Sequence, residues 1–179
     1  MKTKLNQSKL KLAIVSAIVA GSMGLSATSY AGTATGTMAV STSVLMSCTI
    51  SAGAMTFASY DPTAAVDNDS TATITSTCTS GGAAVITMSQ GSRAQGGSTD
   101  AIPLRAMFNG SEGAPEDLAY YLYSDSAGGT VWGNTSGTGK SITADGTAQA
   151  FTAYGRIPKN QTGVSAGAFS DSVAVTLTY

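Results

Sequence analysis

Histidine is absent from the 179 residues, which removes the side chain most often used as a general base near neutral pH and a common metal ligand. Cysteine is nearly absent too. The two present, Cys48 and Cys78, stand 30 positions apart, which excludes the close paired spacing of zinc and redox motifs. Charge is scarce: Asp, Glu, Lys and Arg make up 11% of the chain, against about 25% in an ordinary globular protein. No basic cluster follows Lys11, so there is no electrostatic grip on nucleic acid or anionic lipid. Apolar runs of the roughly 20 residues needed to span a bilayer are missing. The longest run, residues 12–25, is loosened by Gly21 and Gly24. No long window carries a 3.6-residue apolar period, which argues against helices.

What is present begins with an export signal. Lys2, Lys4, Lys9 and Lys11 form a basic head, residues 12–25 an apolar stretch, and Ser29-Tyr30-Ala31 a small-residue cleavage site. This pattern predicts a secretory signal over residues 1–31, removed after Ala31. The remaining chain suits one domain with a sizeable core, and it keeps five basic residues against ten acidic ones. In an exported chain with only two cysteines, Cys48 and Cys78 are expected to form a disulfide. Closing that loop stabilises by roughly 3–4 kcal/mol in the chain-entropy model.

The body of the chain reads as strands and turns. Met38, Val40, Thr42, Val44 and Met46 alternate with Thr37, Ala39, Ser41 and Ser43, Leu45 being the exception, which predicts a strand with one buried face. Cys48, Ile50 and Ala52 keep the same parity, so a bend near Ser47 is needed to divide the run into two elements. Further strands are expected at residues 71–78, 83–88, 118–123, 147–156 and 171–179, with Gly81-Gly82, Asn109-Gly110, Gly128-Gly129 and Asp145-Gly146 as punctuation. Such a series around one disulfide predicts an all-β sandwich. Both ends of the processed chain are then strands. Val173, Val175, Leu177 and Tyr179 share a face, and no charge follows Asp171. An unblunted apolar edge is either paired within the fold or offered to another strand.

Constellations that suggest chemistry are sparse. Glu112, Glu116 and Asp117 lie in a Gly- and Pro-containing loop with no nucleophile or base beside them, and read as solvated charges. Asp61, Asp67, Asn68 and Asp69 lack the glycine and terminal glutamate of a calcium loop. Asn109, Asn134 and Asn160 head triplets that arise readily by chance in a Ser/Thr-rich chain. Trp132 and the tyrosines read as packing residues rather than a sugar platform. No enzyme, metal or cofactor is expected.

Five segments together carry a resemblance: Met55-Thr56-Phe57-Ala58-Ser59-Tyr60-Asp61-Pro62, Tyr121-Leu122-Tyr123-Ser124-Asp125, Val131-Trp132-Gly133-Asn134, Tyr154-Gly155-Arg156-Ile157-Pro158, and the terminal strand from Ser170-Asp171 to Tyr179. In this order they resemble the spore coat protein U family, which includes Csu-type subunits of archaic chaperone-usher pili. The resemblance implies an incomplete immunoglobulin-like β-sandwich that lacks its last strand and is completed by donor-strand exchange. It implies a donor over residues 32–47 with Met38, Val40, Thr42 and Val44 as plug residues, and a sandwich over residues 48–179 whose groove is edged by Val173, Val175, Leu177 and Tyr179. Thr42 is a polar departure in that register. The implied partners are a periplasmic chaperone, an outer-membrane usher and neighbouring subunits in a homo- or heteropolymer. The implied destination is a surface fimbrium supporting adhesion and biofilm formation. A self-complemented secreted coat protein and an adhesive binding module are the alternatives.

Overall fold

The computed structural model describes residues 30–110 and 117–179, none of them helical; the export signal expected over residues 1–31 therefore lies almost wholly outside the described residues. The strands are β1 (Cys48–Ala52), β2 (Asn68–Cys78), β3 (Ala83–Met88), β4 (Arg105–Phe108), β5 (Asp117–Tyr123), β6 (Lys140–Thr143), β7 (Ala148–Ile157) and β8 (Val175–Thr178). They form a five-stranded sheet in the order β1-β2-β7-β5-β4 and a three-stranded sheet in the order β6-β3-β8. All of the ladders between these strands are antiparallel.

The two-residue period of these strands builds the core between the sheets. Ile74 on β2, Leu118, Tyr120 and Leu122 on β5, and Ala153 and Ile157 on β7 face Ala84, Ile86 and Met88 on β3 and Ile142 on β6. The opposite face of β2 carries Thr71, Thr73, Thr75 and Thr77, none of them buried, as expected of β-branched polar residues on a solvated sheet. The Gly81-Gly82 turn joins strands of different sheets, so it crosses between layers instead of closing a hairpin. Gly81 sits at φ 85, a conformation that favours glycine. Asp145-Gly146 makes the return crossing, its Asp145 carboxylate accepting from the Thr147 N–H at 2.8 Å.

Two short strands escaped the sequence reading, and each has a local cause. β4 and β6 have four residues apiece, too few for alternation to register, and β4 opens on a charge. Arg105 is 0% exposed. Its guanidinium donates to the carbonyls of Ser89 (2.8 Å), Met88 (3.0 Å) and Trp132 (2.8 Å), while the Trp132 indole N–H donates to the Ile86 carbonyl at 2.8 Å. One cation thus ties β3, β4 and the Trp132 loop together. Burial pushes its pKa down to about 10, against the pull of Tyr120 and Asp171, so it stays charged at neutral pH. Arg105→Met should lower stability by about 3 kcal/mol, because buried carbonyls lose charge-assisted donors; a urea midpoint equal to that of the parent would contradict this role.

The N-terminal segment departs most from expectation. The alternating run at residues 37–47 is not a strand: the first ladder begins at Cys48, and every residue from Tyr30 to Leu45 is exposed. Alternation marks a face that suits a sheet, but a lone strand without a ladder partner is not stable in water. Residues 30–41 fall in a different unit from Thr42–Tyr179, which contains the eight strands of the described residues.

Candidate functional site

β1 and β8 are edge strands of different sheets. Among the described residues, β1 pairs only with β2, and β8 only with β3. The two edges lie in contact with no ladder between them. Neither is blunted: β1 reads Cys-Thr-Ile-Ser-Ala and β8 Val-Thr-Leu-Thr, without the lysine, proline or inward charge that normally protects an edge. Ile50 beside β2, and Val173, Val175 and Leu177 leading into and along β8, pack against the core yet remain only partly buried. The seam is therefore apolar on its inner side, and each bordering strand has a backbone edge free of a ladder partner. Such a site suits the addition of an extended strand, with main-chain hydrogen bonds for affinity and alternate side chains for specificity.

Local chemistry fixes both borders. At β1, Cys48 is directly opposite Cys78 and bonded to it. Just before β1, the Thr79 N–H donates to the Ser47 carbonyl at 2.9 Å and the Ser47 N–H to Thr79 Oγ1 at 3.1 Å. Met46 lies over Gly82, where an added Cβ would collide with its Sδ and Cε. The approach to β8 is held by polar contacts. The Asp171 carboxylate accepts from Tyr120 (2.6 Å) and the Ser92 N–H (2.8 Å), and Ser89 exchanges hydrogen bonds with Ala174. Burial, reinforced by Asp171, pushes the Tyr120 phenol well above its ordinary range, so it remains a hydrogen-bond donor.

The predicted site residues fall into two groups. Val173, Val175 and Leu177 are brought together on the open edge, whereas Tyr179 extends past the ladder and is 58% exposed. Met38, Val40 and Val44 are 86%, 87% and 80% exposed, and Thr42 is exposed with them; among the described residues no strand pairs with this segment. Sequence reasoning missed Ile50, Met46 and Gly82 as seam and junction residues, although Ile50 shares the parity of Cys48.

The acidic groups serve local structure. Glu112 and Glu116 lie outside the described residues, and Asp117 pairs with Arg93 at 2.6 Å. Asp61 accepts the Thr63 N–H and hydroxyl of its own turn. Asp69 makes a two-pronged contact with Arg156 at 2.7 Å in each arm, which holds its carboxyl below the usual range. Asp67 accepts the Lys159 N–H and also pairs with Arg156. Among the described residues no group of three or more His, Cys, Asp or Glu side chains is arranged to hold a metal ion. Trp132 is 0% exposed, a core residue and not a platform.

Comparison with known proteins agrees with this architecture. The Spore Coat Protein U domain model matches residues 34–176. Protein U of Myxococcus xanthus is 35% identical, the alignment covering 95% of this chain and 98% of that one. Among solved structures, the CsuC–CsuE chaperone–tip adhesion subunit pre-assembly complex from the archaic chaperone-usher Csu pili of Acinetobacter baumannii superposes with a TM-score of 0.54 at 20% identity. That match takes in 76% of this chain and spans 40% of the solved one, and at this identity it speaks for the fold. With a family model covering most of its length and a full-length relative, the chain belongs to the spore coat protein U family.

Proposed function

We propose that the protein is a structural subunit, not an enzyme, that polymerises into a surface fibre by donor-strand complementation, an established mode of strand addition among pilins. The observation that carries this reading is a pairing of opposites within one chain: an unladdered apolar seam between β1 and β8, and an exposed alternating segment that joins no ladder among the described residues. Met38, Val40, Thr42 and Val44 of one subunit fill the seam of its neighbour. Burying each fully exposed apolar side chain contributes roughly 1.5–3 kcal/mol, and the added strand also satisfies the open backbone edges of β1 and β8. Before assembly the seam requires a substitute strand, supplied by a periplasmic chaperone that hands the subunit to an outer-membrane usher. Adhesion and biofilm formation follow as properties of the fibre.

The test is expression of the full chain with a chaperone and usher of this pathway, followed by immunogold labelling of whole cells. Labelled fibres are expected. Protein recovered only as soluble monomer, with residues 37–45 protected from protease by its own sandwich, would support self-complementation and overturn the fibre reading.

A further inference from the structure

The position of the single disulfide in the strand order has a mechanical consequence. In a fibre built as proposed above, on which this inference rests, tension on a subunit enters through its own donor segment and arrives at Ser47. The next residue, Cys48, opens β1, an edge strand of five residues held by one ladder. Tension at the end of an edge strand separates a ladder one residue at a time, the arrangement in which backbone hydrogen bonds resist least, because they break in sequence and not together. Peeling would start at Cys48 and reach Ile50 two residues later. Ile50 lies on the border of the seam that holds the neighbour's donor, so tension on a subunit's own donor would open its acceptor site.

We propose that the Cys48–Cys78 bond is a junction clamp that isolates the acceptor seam from tension on the donor. The bond joins the first residue of β1 to the last residue of β2, its direct opposite in the register. Force therefore passes at Cys48 through a covalent link into β2. That strand has eleven residues and is laddered on both sides, to β1 and, over ten residue pairs, to β7. The junction is reinforced just upstream by the Ser47–Thr79 hydrogen bonds and by Met46 over Gly82. All of these contacts converge on residues 78–82, immediately beyond the clamp. A disulfide placed at the far end of β1, where Ala52 faces Ile74, would close a similar loop but leave the first residues of the strand free to peel.

The test separates this role from ordinary stabilisation by comparing fibres at rest and under load. Single fibres would be held in an optical trap at constant force, and their lifetimes compared with dissociation of the same fibres at rest. Three preparations are needed beside the parent: fibres reduced after assembly, with thiol blocking confirmed by mass spectrometry; the Cys48→Ser, Cys78→Ser pair; and that pair combined with Ser51→Cys and Thr75→Cys, which moves the bond toward the far end of β1. Forced separation is governed by the rate of opening. The clamp predicts lifetimes under load at least about tenfold shorter in reduced fibres, with a much smaller change at rest. Moving the bond should restore behaviour at rest without restoring the loaded lifetime. Reduction after assembly keeps the test open even if the serine pair does not reach the fibre. Equal loaded lifetimes, or losses at rest and under load in the same proportion, would overturn the clamp while leaving strand exchange intact. Absence of fibres from the parent chain would overturn both.

Discussion

A chain lacking residues 32–46 is expected to be exported, to form its disulfide and to be captured by a chaperone, yet to build no fibre. The deletion leaves every strand from β1 to β8 in place, and with them the seam a chaperone strand would fill. Besides Met46 at the junction, what it removes is an alternating apolar segment that, among the described residues, joins no ladder. Each subunit could accept a strand but none could donate one, so growth should stop at the chaperone-bound monomer. The measurement is fibre yield sheared from cells, read beside the amount of subunit retained on a tagged chaperone. Loss of fibres with retention of the complex supports the donor role. Fibres at parental yield would show that another segment links the subunits, and loss of both would place residues 32–46 in folding instead.

Single charges within that segment should divide by face. Val40→Asp and Val44→Asp place a carboxylate in an apolar seam without a partner, at a cost of several kcal/mol beyond the lost valine burial. Fibre yield should fall below detection for both. Ala39→Asp and Ser41→Asp point the other way in the two-residue period of a strand and should leave yield within about twofold of the parent. All four positions are exposed in the free chain, so folding and export should be unaffected in every variant, as judged by periplasmic subunit level. Because a one-residue slip exchanges the two faces, greater loss from Ala39 and Ser41 would place the register one residue away. Equal loss from both faces would argue against strand addition by this segment.

Much of the sandwich was legible in the sequence because its strands are long and one-faced. Ile74 and Cys78 alternate with threonines, and Ala153 and Ile157 alternate with polar neighbours, so period two is visible without knowing any partner. The same reasoning fails where a strand is short or where burial contradicts residue type. β4 opens with Arg105, and only the carbonyls of Met88, Ser89 and Trp132, assembled from distant parts of the chain, make a buried guanidinium tolerable. β6 reads Lys-Ser-Ile-Thr, with one core residue and no period to detect. The Gly81-Gly82 turn was visible, but its crossing from one sheet to the other depends on what β2 and β3 pair with. The seam has the same character. The unblunted terminal strand could be seen, and β1 only as a continuation of the alternating run before it, whereas the meeting of β1 and β8 as neighbouring, unladdered edges is a product of non-local pairing. Residues 38–44 show the converse: a strand-like pattern that, among the described residues, joins no ladder, because alternation records a face that suits a sheet and not the presence of a partner strand.

Filling of the seam between β1 and β8 by the donor of another subunit can be tested by capturing the contact. A photo-crosslinking residue would replace Val40 in an isotopically light chain, which would be assembled into fibres with heavy chains, and crosslinked peptides would be identified by mass spectrometry. Light-to-heavy crosslinks are expected from position 40 to the strip bordered by Ile50, Val173, Val175 and Leu177. Crosslinks confined to the same chain, or inter-chain crosslinks to a surface away from these two edges, would contradict filling of the seam by another subunit.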